Sequence, residues 1–482
     1  MAEFPVKLVI GGERLDAAAG RTFPVENPAT EENIAQVAEG DAADIDRAVK
    51  SARDTFESAA WRGMSARQRG AILYRLGDLI DKNKDELARL ETLNNGKPIF
   101  ESHIDIRLTS DTFRYYGGWA DKIHGETIPV GVNSLNYTLR EPLGVIGAIT
   151  PWNFPMSLAA WKIAPALACG NTIVLKPATQ TPFTAIRMAE LALEAGLPAG
   201  AFNCVPGGGK SAGMALVRHP DVDKIAFTGS TAVGKQVMRE AADTVKKLSL
   251  ELGGKSPNIV FADAHLDAAA RGALTGIFYG KGEVCAAGSR LLVEDTVREA
   301  LTAKILERAK KMVAGDPLDP KTRLGAIVSR AQMESVLGYI KKGRDEGAQL
   351  LSGGERTPVN GKGYFVQPTI FGGVESAMTI AREEIFGPVL AMMTFTGGVE
   401  GAVALGNDTI YGLAAGIWTR DIGKALRTAR AIRAGTVWVN TYNMYDAAAG
   451  FGGYKQSGFG RELGLHAIDG YTQIKTVWVD LS

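Results

Sequence analysis

Cysteine is scarce in this chain. Three residues among 482, Cys169, Cys204 and Cys285, exclude a disulfide framework and suit a reducing compartment. Histidine is equally sparse, with five copies far apart, and no Cys or His spacing makes a zinc site. An excess of one charge is missing too. The 54 Lys+Arg stand against 53 Asp+Glu, a net +1, which leaves no broad electrostatic reason to bind nucleic acid or an anionic membrane. No apolar run reaches the length of a membrane span, and the start MAEFPVKLVIGGERLD has no basic flank leading into an apolar core. These absences predict a soluble, cytoplasmic, metal-free protein with neither nucleic acid nor membrane as partner. What is present is ordinary globular composition, 45% hydrophobic and 22% charged, in a chain long enough to bury a large core.

The periodicity changes along the chain. Residues 40–125 read mainly as helices: Ile72, Leu73, Leu76, Leu79, Ile80, Leu87 and Leu90 keep helical steps, Ser65 with Gln68 forms a capping box, and Gly96 with Pro98 gives a stop. From about 143, short apolar runs alternate with helical stretches: LGVIGAI (143–149), NTIVLK (171–176), FNCV (202–205) and KIAFTG (224–229), with a helix near 184–195. Such alternation implies parallel strands, right-handed crossovers and a doubly wound α/β sheet. A second alternating region begins at SPNIVF (256–261) and runs to about 440. SLNYTLRE (134–141) and TQIKTVWVDLS (472–482) read as strands outside both units, placed to pair with another subunit or to form an edge hairpin within the chain.

Several residues have the type and setting that chemistry requires. Cys285 lies in FYGKGEVCAAGSR, among glycines and alanines that let a substrate approach the sulfur; Cys169 and Cys204 sit in apolar contexts and read as inert core residues. No histidine shares such a glycine-rich setting, so a carboxylate is the better candidate for the base. Glu251 ends an apolar strand before Gly253-Gly254, at the sheet edge where open α/β folds bind ligands. Asn153, in PWNFP, is held by two prolines and offers a fixed amide for an oxyanion, or else turns back on its own backbone. GSTAVG (229–234) follows a strand and opens a helix, a setting for pyrophosphate. Lys176 ends another strand and reaches toward a ribose or phosphate.

Taken in order, ETLNNGKP (91–98), TPWNFP (150–155), KPATQTP (176–182), FTGSTAVGK (227–235), LELGGKSPNIV (250–260), GKGEVCAAGSR (280–290), EEIFGPV (383–389) and FGGYKQSGFGRELG (451–464) resemble the aldehyde dehydrogenase superfamily over nearly the whole chain. The resemblance implies an α/β fold with a Rossmann-like doubly wound NAD(P)-binding domain over 1–123 and 143–253. It further implies a second α/β catalytic domain over 254–456 and a small β extension for oligomerisation at 124–142 and 470–482. It implies Cys285 as nucleophile, Glu251 as general base, and Asn153 with the Cys285 N–H as oxyanion hole. Glu384 and Phe386 would hold the nicotinamide ribose side, and Lys176 the adenosine ribose. Trp152, Thr228, Gly229, Ser230 and Gly253 would line the remainder of the cofactor.

The implied reaction is oxidation of a small aldehyde to its acid through a Cys285 thioester, which Glu251 hydrolyses with water. A CoA-acylating relative would lack that glutamate, and a non-catalytic crystallin-like relative would not need the set. Two departures stand out. Thr179 occupies a place where NAD-selective members carry a glutamate, so NADP as well as NAD is expected as cofactor. Gly280, Lys281 and Glu283 replace a commoner N-Q-G-Q run, and Glu283 would either raise the thiol pKa or face solvent. Phe154, Leu158, Trp161, Tyr445 and Phe451 are expected to line the substrate tunnel and to favour an apolar aliphatic or aromatic aldehyde. No arginine stands among them, which argues against a semialdehyde, although Arg107, Arg114 and Arg290 are available elsewhere. A homodimer or homotetramer is expected.

Overall fold

The structure, a computed structural model, describes residues 4–482. Its first sheet has eight strands. Five are parallel, in the spatial order Lys247–Glu251, Lys224–Thr228, Val145–Ile149, Thr172–Lys176 and Phe202–Cys204. The chain lays down the middle strand first, builds outward on one side, then returns to build on the other. The direction of winding therefore reverses between Val145–Ile149 and Lys224–Thr228. Loops leaving the C-terminal ends of two such strands diverge and open a crevice. The four strands from Val145 to Thr228 are buried along their whole length. Helices on both faces require this, and it explains why these segments read as unbroken apolar runs.

A second sheet has seven strands, six of them parallel: Thr369–Gly372, Val389–Phe395, Arg290–Glu294, Pro257–Val260, Ala414–Trp418 and Thr436–Val439. Gln349–Ser352 adds an antiparallel edge. The two expected α/β units are thus present as two separate sheets.

The helical region also forms as expected. Ser65 and Gln68 make a reciprocal capping box at the start of the helix Ala66–Lys82. The apolar stripe expected from Ile72 to Leu90 is divided between this helix and Lys84–Asn95. At the break, the Asn83 side chain donates to the Leu79 carbonyl, 2.7 Å away, and competes with the helical ladder. Among the described residues no helix is long and apolar enough to cross a membrane.

The strand Ser134–Pro142 pairs with Thr472–Asp480 in antiparallel register, from Pro142 opposite Thr472 to Ser134 opposite Asp480. The two segments pair with each other within the chain. Thr472–Asp480 forms the outer edge of this three-stranded sheet. Leu135, Leu139, Ile474, Trp478 and Val479 remain exposed on it.

Candidate active site

Loops of the second sheet meet the winding reversal of the first, where Asn153 bonds Glu283 and Gly254 bonds Glu384. From the first sheet comes the turn 150–154, between the strand Val145–Ile149 and the helix Pro155–Ala168. Asn153 is buried there, and its Nδ2 donates to the Glu283 carbonyl at 3.0 Å. It does not turn back on its own backbone. An amide nitrogen carries two hydrogens, so one remains for an oxygen in the crevice. The Oδ1 has no hydrogen-bond partner among the described residues. Neighbouring Trp152 accepts from Asn95 Nδ2 at 2.8 Å and meets the Phe386 ring edge-on, centroids 5.1 Å apart.

Cys285 is half-buried on the loop before the strand Arg290–Glu294. Burial pushes its thiol up to about 12, and the nearby carboxylates of Glu384 and Glu251 add to the effect. The other two cysteines are buried in the core, as expected; burial pushes the Cys169 thiol up to about 12 and raises that of Cys204 further.

Glu251 ends its strand inside the crevice, 4% exposed, and neither carboxylate oxygen has a hydrogen-bond partner among the described residues. Burial and the neighbouring Glu462 raise its pKa well above the usual carboxylate range. A buried carboxylate left without donors is costly unless something joins it. Its free oxygens suit a water or a proton in transit. Glu462 in turn takes a hydrogen bond from the buried Lys162 Nζ, which also donates to Thr228 Oγ1 at 2.7 Å. Neither Lys162 nor Glu462 was singled out by sequence reasoning. The signal for Lys162 was present, because it is the one charged residue in the wholly buried helix PMSLAAWKIAPALA.

Glu384 accepts from the Gly254 N–H at 3.0 Å, and burial pushes its carboxyl up to about 7. A Cβ on Gly253 would lie 2.3 Å from Glu384 Oε2, so only glycine leaves that carboxylate its place. Lys176 ends its strand buried, and burial alone lowers its ammonium to about 8, with no carboxylate to offset it. Thr179 is half-buried and its hydroxyl donates to Gln180 at 3.2 Å. Ser230 caps the eleven-residue helix Thr231–Ala241, and the Gly229 N–H donates to the Glu251 carbonyl, which joins the phosphate-type turn to the base.

These groups fit a dinucleotide. A buried cation at a strand end, a helix N-terminus and a carboxylate in a glycine cradle are donors and acceptors that phosphates and ribose hydroxyls would satisfy.

The five expected tunnel residues do come together. Phe154, Leu158, Trp161, Tyr445 and Phe451 belong to one apolar cluster that also contains Cys285. Trp161, Tyr445 and Phe451 form a triangle with centroids 5.6–6.1 Å apart. Tyr279, which the sequence reading passed over, stacks on Phe154 at 6.3 Å. None of the three arginines held in reserve enters this cluster. Arg290 is buried and donates to the Lys255 and Gly406 carbonyls, Arg114 pairs with Asp78 and Asp81, and Arg107 is exposed beside His103 and Asp111.

Both expectations for Glu283 fail. It is 1% exposed, so it does not face solvent. Its carboxylate lies 2.9 Å from Lys281 Nζ and accepts the Val328 N–H at 3.0 Å. The charges that raise the Cys285 thiol are Glu384 and Glu251 instead.

Comparison with known proteins agrees with this geometry. The model of the aldehyde dehydrogenase family matches residues 15–477. A putative aldehyde dehydrogenase, DhaS, of Bacillus subtilis (strain 168) is 50% identical over 476 residues, covering 98% of this chain and 96% of that protein. The NAD+ complex of aldehyde dehydrogenase from Bacillus cereus superposes with a TM-score of 0.97 at 49% identity, covering 99% of this chain and 97% of that one. An indole-3-acetaldehyde dehydrogenase of P. syringae, solved with NAD+ and IAA, gives 0.98 at 48% identity, covering 100% and 97%. The chain belongs to the aldehyde dehydrogenase family, as an NAD(P)-dependent enzyme.

Proposed function

We propose that the protein oxidises an apolar aromatic or aliphatic aldehyde to its carboxylic acid through a thioester on Cys285. The observation that carries this reading is the convergence on one thiol of Glu251, Asn153 and Glu384, from three separate segments of chain. Cys285 adds to the aldehyde carbonyl, and the alkoxide is held by the Asn153 amide and the Cys285 N–H. Burial and the carboxylates of Glu384 and Glu251 make this thiol hard to ionise, so its proton leaves for solvent only as the sulfur adds to the carbonyl, and Glu251 stays free for the later step. When bound, NAD(P) supplies the hydride acceptor that leaves Cys285 acylated. Glu251 then takes a proton from water as the water attacks the thioester, and Lys162 with Glu462 keeps a balancing charge beside it. The first sheet serves as the cofactor domain and the second carries the nucleophile.

The aromatic triangle beside Cys285 favours flat or aliphatic substrates over those ending in a carboxylate, because Arg107, Arg114 and Arg290 are all engaged or exposed elsewhere. The name of the P. syringae relative points the same way, since indole-3-acetaldehyde is an aromatic aldehyde. The test is cofactor reduction over an aldehyde panel, with product analysis. Turnover is expected to rank aromatic and medium-chain aldehydes first and carboxylated semialdehydes last, with free acid as the product. Acyl-CoA formation or a preference for semialdehydes would overturn the assignment.

We further propose that NADP is used alongside NAD, because Thr179 places no carboxylate against a 2′-phosphate. The expected kcat/KM ratio between the cofactors is within about a hundredfold. A preference for NAD of about a thousandfold, on the order of 4 kcal/mol, would sink the idea.

The exposed apolar side chains on the three-stranded sheet support assembly into a homodimer or homotetramer. Trp478→Asp places a charge on that face, at a side chain 65% exposed in the single chain, where folding does not depend on it. The variant is expected to sediment as a smaller species than the parent. An unchanged mass would remove this sheet from the interface.

A further inference from the structure

We propose that Lys281 is a positioning residue whose buried ammonium closes a ring of polar contacts that holds the Asn153 amide against the nucleophile loop. The ring is short and complete. Lys281 Nζ donates to Asn95 Oδ1 at 2.5 Å, and Asn95 Nδ2 donates to the Trp152 carbonyl at 2.8 Å. The next residue, Asn153, donates through Nδ2 to the Glu283 carbonyl at 3.0 Å. The Glu283 carboxylate returns to Lys281 Nζ at 2.9 Å. Three segments distant in sequence are joined in this way: the C-terminus of the helix Lys84–Asn95, the turn 150–154, and the loop carrying Cys285.

Two features show that this ring holds the loop against a local cost. Gly280, Lys281 and Gly282 all have positive φ, at 57°, 60° and 74°. Lysine is a poor choice for the left-handed region, because its Cβ crowds the backbone there and glycine has none. Lys281 and Glu283 are each 1% exposed, so two charges have been taken out of water to make one contact set. The rest of the loop is pinned around them. Glu101 accepts the Gly280 N–H through both oxygens at 3.2 Å, and Glu283 accepts the Val328 N–H.

The consequence falls on Asn153. One of its two N–H groups is spent on the Glu283 carbonyl, two residues before the nucleophile, so the direction of the other is set by where that carbonyl lies. Loosening the ring lets the amide and the thiol drift relative to each other. Misplacement by about an ångström is enough to cost catalysis on the order of a hundredfold. This inference rests on the reading of Asn153 as the oxyanion donor.

The experiment is a double-mutant cycle. Lys281→Met combined with Glu283→Gln removes both charges of the pair together, and Lys97 remains as the cation beside the buried Glu101 and Asp105. Asn95→Ala opens the same ring at a different member and covers the case in which the first variant fails to fold. Each is expected to lower kcat about ten- to a hundredfold while KM for the cofactor stays put. In an Asn153→Ala background the same changes should cost almost nothing more, because the group they act through is gone. Full losses in that background would overturn the ring while leaving Asn153 in its role. Parental kcat in the folded ring variants would overturn it as well. Parental activity of Asn153→Ala alone would remove the oxyanion reading and the ring with it.

Discussion

Glu251→Gln will turn the enzyme into one that loads itself and then stalls. The first turnover should still reduce about one equivalent of cofactor per active site, because the thiol and the oxyanion donors are untouched. Steady-state kcat should then fall about a hundred- to ten-thousandfold, the usual worth of a general base. The reason lies in the environment of Glu251. It is buried, its oxygens have no hydrogen-bond partner among the described residues, and burial with Glu462 nearby holds its pKa well above that of a free carboxylate. Glutamine keeps the shape and cannot take a proton. The acyl-enzyme should therefore accumulate and be visible as added mass on Cys285. The pH profile gives a second reading. Below its raised pKa Glu251 is protonated and idle, so parental kcat should fall as pH drops, and that acidic limb should vanish in the variant. A variant with no initial burst would place Glu251 in thiol activation alone, and parental turnover would remove it as the base.

Much of this site was legible before any coordinates, and for a physical reason. Residues at the C-terminal ends of parallel strands must face the crevice, and the strands themselves were readable as unbroken apolar runs. Glu251 and Lys176 each stand at the end of such a run, and Asn153 at the turn after one, so pattern put each at the ligand-binding edge of the sheet and the family resemblance joined them in one site. The partners of two buried lysines were not legible. Lys162 meets a glutamate 300 residues away, and Lys281 meets an asparagine 186 residues away. Burial of a charge announces that a partner exists, but nothing local says which. Glu283 shows the same limit. It was weighed as a lone carboxylate, facing the thiol or solvent, when its partner stood two residues earlier in a left-handed backbone that turns both side chains inward. The terminal strand was legible as a strand and not in its pairing, since Thr472–Asp480 and Ser134–Pro142 are more than 300 residues apart.

Asn153 carries the other large expectation. Asn153→Ala should lower kcat about a hundred- to a thousandfold, the measured worth of a single oxyanion donor in other enzymes. The donor acts on an alkoxide that exists only after the thiol has added, so the loss should appear in kcat far more than in binding of cofactor or aldehyde. Alkylation of Cys285 by a haloacetamide forms no alkoxide, and its rate should change little. Asn153→Asp separates this role from a merely structural one. Aspartate matches asparagine in shape, so a packing role would make it the milder change. An oxyanion role makes it the harsher one, because a carboxylate oxygen would replace the donor and face both the alkoxide and the Glu283 carbonyl. The expected order of activity is therefore parent, then alanine, then aspartate. An aspartate variant that outperforms alanine would show that Asn153 fills space in the crevice and leaves the developing charge to other groups.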